Sequence, residues 1–209
     1  MEKEGMYMGE HPWIIAISRE YGSGGRKIAS ILAEKYGFPM YDRSLIENLF
    51  EGKNTEEWKK YDEKPRKFTL SRTVNGYSNS MEENLAEEQF RYMKTLPERG
   101  ENFIILGRCA EEVLKDQPNL ITLFATADLE DRINRIEEVR HLSRKDAEKA
   151  IKRHDASRKR YHDRYSSRKW GDVKNYDLSI NTSRLGIEKS AEMIAHYFEE
   201  RRSHESNDN

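Results

Sequence analysis

Between Ile14 and Ala33 the chain reads IIAI, then SREYGSGGRK, then IASILA. A short β-branched apolar run, a glycine-rich turn and an amphipathic run make a strand, a loop and a helix. Gly22, Gly24 and Gly25 let the backbone turn sharply and keep side chains away from anything seated on the loop. The helix that follows aims its free N–H groups and the positive end of its dipole into that loop, which suits a phosphate. Arg26 and Lys27 add full positive charges at the same place. The flanking strand, helix and cations favour a phosphate cradle over a turn whose glycines serve only local geometry.

The first strand is placed at Trp13 to Ile17 and its helix at Lys27 to Lys35, ending near Gly37. Phe38 to Tyr41 is a short apolar strand followed at once by Asp42, Arg43 and Ser44, with a helical pattern from Leu45 to Phe50. A carboxylate and a cation thus stand at a strand's C-terminal end, where open parallel α/β sheets bind ligands. Asp42 also suits a helix N-cap, and the two roles can coexist. Gly52 to Ser80 is polar and mixed in charge, and reads as short helices or a flap. Met81 to Leu96 is an amphipathic helix, with Leu85, Phe90, Met93 and Leu96 available for one face.

Phe103 to Leu106 (FIIL) is a buried-strand pattern, and Gly107, Arg108 and Cys109 follow it directly before a helix starting at Ala110. Arg108 either pairs with a carboxylate at the sheet edge or holds an anion, for which its forked guanidinium is suited. Cys109 reads as a small, semi-buried side chain, because no histidine is placed to activate it. Leu120 to Ala125 is the next strand, with Thr126 and Asp128 as caps for a helix carrying Arg132 and Arg135. His141 to Ser143 ends that helix, and a second, capped by Ser143, runs through Ile151. Then comes RHDASRKRYHDRYSSRKWGD, whose closely spaced arginines place some cations on a shared helix face, as a lid that clamps polyphosphate would need. Tyr176 to Ile180 is a last strand, Asn181 to Ser183 a turn, and Ile187 to Phe198 a closing helix.

Strands therefore alternate with helices, which implies a parallel sheet of about five strands with helices on both faces. Right-handed crossovers bring the anion-binding groups of the first three strands to one edge. A phosphate cradle, receiving arginines and an Arg-rich lid describe a kinase of small phosphorylated acceptors.

Composition narrows the alternatives. The chain has 209 residues, enough for one domain with a real core. Its net charge of −1 disfavours a protein that holds nucleic acid by bulk charge. The single cysteine, Cys109, leaves no disulfide framework and no cysteine zinc cluster. No apolar run approaches the roughly 18 residues of a membrane span. The first residues lack a secretory pattern, so a cytoplasmic protein is expected. Residues 1–12 and 199–209 are expected to be flexible, around a single domain over 13–198.

The chain resembles the cytidylate kinase-like family of P-loop proteins. The matching pieces are ISREYGSGGRKIASILAEKYGFPMYD, IILGR, TLFATADLEDRINRI and KWGDVKNYDLSINTSRLGIE, together spanning most of residues 13 to 196. The resemblance implies a three-layer P-loop NTPase fold with a helical lid at about 140–170 and an acceptor-binding or flap region at about 52–80. It also implies transfer of the ATP γ-phosphoryl group, with Mg²⁺, to a nucleoside monophosphate such as CMP or dCMP. By position, Gly22, Ser23, Gly24, Gly25, Arg26 and Lys27 would serve the ATP phosphates, with Arg132 and Arg153 assisting. Asp42, Arg43 and Arg108 would serve the acceptor, and Arg26, Arg158 and Arg160 the charge developing in transfer. No residue set for a resident metal stands out, and a homo-oligomer is compatible with the sequence.

Two departures stand beside the resemblance. An ordinary P-loop ends in Gly-Lys-Ser/Thr, whose lysine reaches the β- and γ-phosphates and whose hydroxyl holds magnesium. Here Gly25 occupies the lysine's position, leaving Arg26 or Lys27 as the expected substitute and Ser23 as the nearest hydroxyl. Around Arg108 the acidic residues of cytidylate kinases are replaced by Leu106 and Cys109. Two further readings follow: a nucleotide-binding protein with little catalysis, or a kinase fold acting on a larger target.

Overall fold

The computed structural model describes residues 11–42, 73–74, 77–78 and 81–207. Its centre is a five-stranded parallel sheet. In chain order the strands are β1 (Ile14–Arg19), β2 (Met40–Tyr41), β5 (Phe103–Leu106), β6 (Leu120–Thr126) and β7 (Leu178–Asn181). Their spatial order is β2-β5-β1-β6-β7. Two short antiparallel strands, β3 (Thr73–Val74) and β4 (Tyr77–Ser78), form a separate pair. The helices are α1 (Gly25–Tyr36), α2 (Met81–Thr95), α3 (Ala110–Val113), α4 (Leu129–Arg140), α5 (Arg144–Tyr165) and α6 (Thr182–Asn207).

β1 lies at the centre, and its residues alternate between two cores as a pleated strand must. Ile15 and Ile17 pack with Ile28 and Leu32 of α1 and with Ile194 and Phe198 of α6. Ile14 and Ala16 pack on the other face with Met93 of α2, Phe103, Ile105 and Leu114. A strand buried on both faces must read as a continuous apolar run, which is why IIAI precedes the loop. A smaller cluster of Ile133, Ile136, Ala147 and Ile151 joins α4 to α5, with Tyr21 packed against it.

Register carries the strand ends to one edge. Ile17 of β1 stands beside Leu106 of β5, and Arg19 beside Ala125 of β6. Consequently Arg19 to Gly25, Asp42, Gly107 to Cys109 and Thr126 to Asp128 all leave the sheet on the same side.

Several expectations need correcting. Within the region read as short helices or a flap, Thr73–Val74 and Tyr77–Ser78 are strands and form the antiparallel β3–β4 pair. α5 does not stop at Ile151 but runs unbroken to Tyr165, so the Arg-rich segment is part of the same helix up to that residue. The closing helix continues to Asn207, so the tail expected to fray is helical through that residue, with a kink at Gly186 (φ 77°, ψ 173°). Arg43, the helix expected over 45–50 and most of the 52–80 region lie outside the described residues.

Phe198 is wholly buried, with edge-on contacts to Trp13, Tyr36 and Phe38. Phe198→Ala is expected to cost about 3–5 kcal/mol, because the rings around it cannot close the cavity. Urea unfolding checks this, and a loss below about 1 kcal/mol would show that α6 does not anchor the core.

Candidate active site

Four consecutive loop carbonyls accept hydrogen bonds from side chains, the first from within the loop and the other three from α4 and α6. The Glu20 carbonyl accepts from Ser23 Oγ at 2.9 Å, and the Tyr21 carbonyl from Arg132 Nε at 2.7 Å. The Gly22 carbonyl accepts from Arg135 Nη1, and the Ser23 carbonyl from Thr182 Oγ1 at 2.8 Å. Two N–H groups on these peptide units are used within the protein, that of Tyr21 on Asp155 Oδ1 at 2.7 Å and that of Ser23 on the Glu20 carbonyl at 3.4 Å, which leaves those of Gly22 and Gly24 to turn into the loop. Gly22 and Gly24 make this path possible at φ 82° and 85°. The first helical bond of α1 runs from Ile28 N–H to the Gly24 carbonyl at 3.0 Å. The N–H groups of Gly25, Arg26 and Lys27 therefore have no partner inside the helix, and no side chain caps them. The loop is a nest of amides at a helix N-terminus, built to hold an anion.

Guanidinium groups gather over this nest. Arg19 leaves β1 half-buried, and its pKa is drawn well below the ordinary arginine value. Burial is the main cause; the positive charges of Arg158, Arg108 and Arg26 add to it, and Asp42 opposes. Arg158, from α5, donates from Nη1 to the Arg19 carbonyl at 3.0 Å and lies over the Tyr21 ring. Its pKa is also lowered, by burial first, while Asp155 and Tyr21 pull the other way. Arg108 sits at φ 61° on the turn after β5, with its guanidinium over the Tyr161 ring. Arg26 reaches Asp42 at 2.5 Å; Asp42 is buried, and Arg26 is 67% exposed. Clustered cations beside the amides of a helix N-terminus make an arrangement that can take a polyanion.

The other anticipated residues fall in different places. Ser23 is fully buried, with its hydroxyl spent on the Glu20 carbonyl. Lys27 is exposed on α1. Arg132 is buried behind the loop, where it bonds the Tyr21 carbonyl and pairs with Glu20 and Asp155. On α5, Arg158 turns inward while Arg153 and Arg160 are exposed. A helix advances about 100° per residue, so positions 158 and 160 stand about 200° apart.

Three features went unanticipated. Arg19 is the first. Asp155 is the second: its carboxylate accepts from Tyr21 N–H at 2.7 Å and pairs with Arg132, tying α5 to the loop. The third is a buried polar group beneath the arginines. Ser18 Oγ lies 3.3 Å from both Glu111 oxygens, and His162 Nε2 lies 3.1 Å from one, though without hydrogen-bond alignment. Nearby, the Tyr176 hydroxyl is pushed up to about 12, by burial and then by Glu111. Alternation along β1 places Arg19 on the Ile15–Ile17 face, and that was the readable sign for the first of these.

Cys109 is 3% exposed, and burial, with Glu111 beside it, raises its thiol pKa far above the ordinary value. Among the described residues, no group of three or more histidine, cysteine, aspartate or glutamate side chains could hold a metal ion. No described helix is long and apolar enough to cross a membrane.

The family described as cytidylate kinase-like matches residues 14–184. A solved structure of an uncharacterized protein from Eubacterium ventriosum is similar at 32% identity and a TM-score of 0.72, over 90% of this chain and 98% of that one. Shikimate kinase from Bacteroides thetaiotaomicron is 14% identical with a TM-score of 0.54, over 90% and 98% of the two chains. Shikimate kinase from Acinetobacter baumannii, in complex with shikimate, is 13% identical with a TM-score of 0.53, over 91% and 94%. At such identities the shikimate kinases share the fold alone. No curated protein matches the chain.

Two expectations follow. Asp155→Ala leaves Arg132 with one carboxylate partner and orphans the Tyr21 N–H, so thermal unfolding should show a loss of about 2–3 kcal/mol; an unchanged midpoint would mean the tie carries no energy. In the folded protein, Cys109 should react with iodoacetamide at pH 8 at least about 100-fold more slowly than in urea, because the thiolate is suppressed. Equal rates would contradict the burial.

Proposed function

The chain belongs to the cytidylate kinase-like family, and from that premise we propose that it transfers the γ-phosphoryl group of ATP to a small phosphorylated acceptor, a nucleoside monophosphate such as CMP or dCMP. The observation that carries this reading is the amide nest between Tyr21 and Lys27 with Arg108 and Arg158 converging on it. A passive phosphate site needs the nest; charge delivered from two further elements suits a group whose charge is redistributed during transfer.

In this reading the nest holds the β-phosphate of ATP, and Arg108, at the end of β5, receives the acceptor phosphate. An acceptor oxygen attacks the γ-phosphorus in line as the bond to the β–γ bridging oxygen breaks, and that electron pair departs with ADP. An ionised phosphate acceptor has no proton to lose, so no general base is required, and positioning with positive charge does the work. Arg158 neutralises the charge that spreads over the transferred group. Residues about 140–170 act as the lid, and α5 brings Arg158 with it. Asp42 would help hold the magnesium that accompanies ATP: it is a buried carboxylate at a strand end, already oriented by Arg26. Bound there, the metal would supply positive charge to the phosphates of ATP.

A second reading, nucleotide binding with little turnover, is favoured by one observation. Ser23, the only serine or threonine between Arg19 and Gly25, is buried with its hydroxyl on the Glu20 carbonyl, and is not available as the magnesium ligand of ordinary P-loops.

A coupled assay of ADP release against a panel of nucleoside monophosphates separates the two. Acceptor-dependent ADP release supports transfer. Thermal stabilisation by ATP with no release for any acceptor would leave the binding reading. In the active case, Arg158→Ala should lower kcat by about 100-fold or more. Arg160→Ala should stay within about twofold, as an exposed charge does; equal losses in both would contradict the inward role of Arg158.

A further inference from the structure

The glycine at position 25 has a steric cause. A Cβ built there would stand 2.7 Å from Arg19 Cβ, 3.1 Å from its Cγ and 3.2 Å from Ala125 Cβ. No side chain can leave position 25 while Arg19 keeps its course. The same side chain then crosses the sheet edge to Gly107, where a Cβ would run into its guanidinium. Gly107 is at φ 76°, so the backbone yields at both ends of the path. Arg19 thus fills the space over the loop that a side chain from position 25 would need, and ends beside Arg108. Its main chain is fixed as well, because Arg158 holds its carbonyl at 3.0 Å.

We propose that Arg19 is a catalytic residue. It delivers to the β- and γ-phosphates, from the end of β1, the positive charge that a lysine at position 25 would otherwise bring. This deepens the kinase reading above and rests on it for the identity of the polyanion. The route from β1 has a geometric consequence. A lysine on α1 approaches the phosphates from the helix, whereas Arg19 approaches across the sheet edge and comes to lie between the nest and Arg108. One guanidinium can therefore fork between a γ-oxygen and the side from which the acceptor arrives. Arg26 is freed from that duty and orients Asp42 instead.

Charge relocation tests the assignment. Calorimetric titration with inorganic tripolyphosphate and with ATP should show Arg19→Met binding roughly 10–100-fold more weakly than wild type, as loss of a charge-assisted fork implies. The methionine keeps the stem but removes the cation. The double variant Arg19→Gly with Gly25→Lys removes both the Cβ and the Cγ that stand in the way and restores a cation from the helix, so it should recover most of the lost affinity. Gly25→Lys alone meets the Arg19 stem and should bind no better than wild type. Tripolyphosphate binding by Arg19→Met within twofold of wild type would overturn the proposal, as would a wild type that binds neither ligand. If Arg19→Met fails to fold by circular dichroism, Arg19→Lys decides: affinity within about tenfold of wild type supports the charge role, and complete loss in a folded protein overturns it. The ADP-release assay run in parallel separates the two readings. Arg19-dependent binding without turnover leaves this assignment standing and removes the kinase reading. Turnover undiminished in Arg19→Met does the reverse.

Discussion

Repulsion among arginines organises the functional edge of this protein. Arg19, Arg108, Arg158 and Arg26 lie within one another's field, with the carboxylate of Asp42 as the opposing charge acting on Arg19. Like charges held together in a partly buried space cost free energy unless an anion joins them. The body of the protein sustains the arrangement. Two faces of apolar packing fix β1, and side-chain bonds to four carbonyls fix the loop. Part of the energy of folding thereby goes into holding positive charge in place before a ligand arrives.

Asp155 qualifies that picture in a useful way. Its carboxylate sits on one loop amide and on Arg132, so a negative group from α5 is part of the same electrostatic fabric. α5 meets the loop through three kinds of contact: this carboxylate, the Arg158 hydrogen bond and the stacking of His154 on Tyr21 at 4.2 Å. Helix and loop are consequently joined at three points, which is the contact that the proposed lid would use.

Much of the scaffold was legible in the chain because it depends on period and punctuation. IIAI and FIIL read as strands, and of the three glycines expected to let the backbone turn sharply, Gly22 and Gly24 take left-handed positions. Arg108 stands at the top of its strand as the pattern GR after FIIL implied. What was not legible depended on direction. Arg158 and Arg160 look equivalent in a basic run, yet one faces the loop and the other solvent. Ser23 seemed a free hydroxyl, but its burial follows from long-range contacts such as the Thr182 bond to its carbonyl. Arg19 fell in the run read as the glycine-rich turn and was given no role; only the absent Cβ atoms at 25 and 107, seen in three dimensions, reveal the course of its side chain.

The account centres on where a triphosphate sits. A crystal structure of the full chain with a non-hydrolysable ATP analogue and magnesium tests it most directly. The β-phosphate should accept hydrogen bonds from the Gly24 to Lys27 amides, with a γ-oxygen about 3 Å from the Arg19 guanidinium. A triphosphate bound elsewhere, or one in the loop with Arg19 turned away and Arg26 or Lys27 in its place, would contradict it.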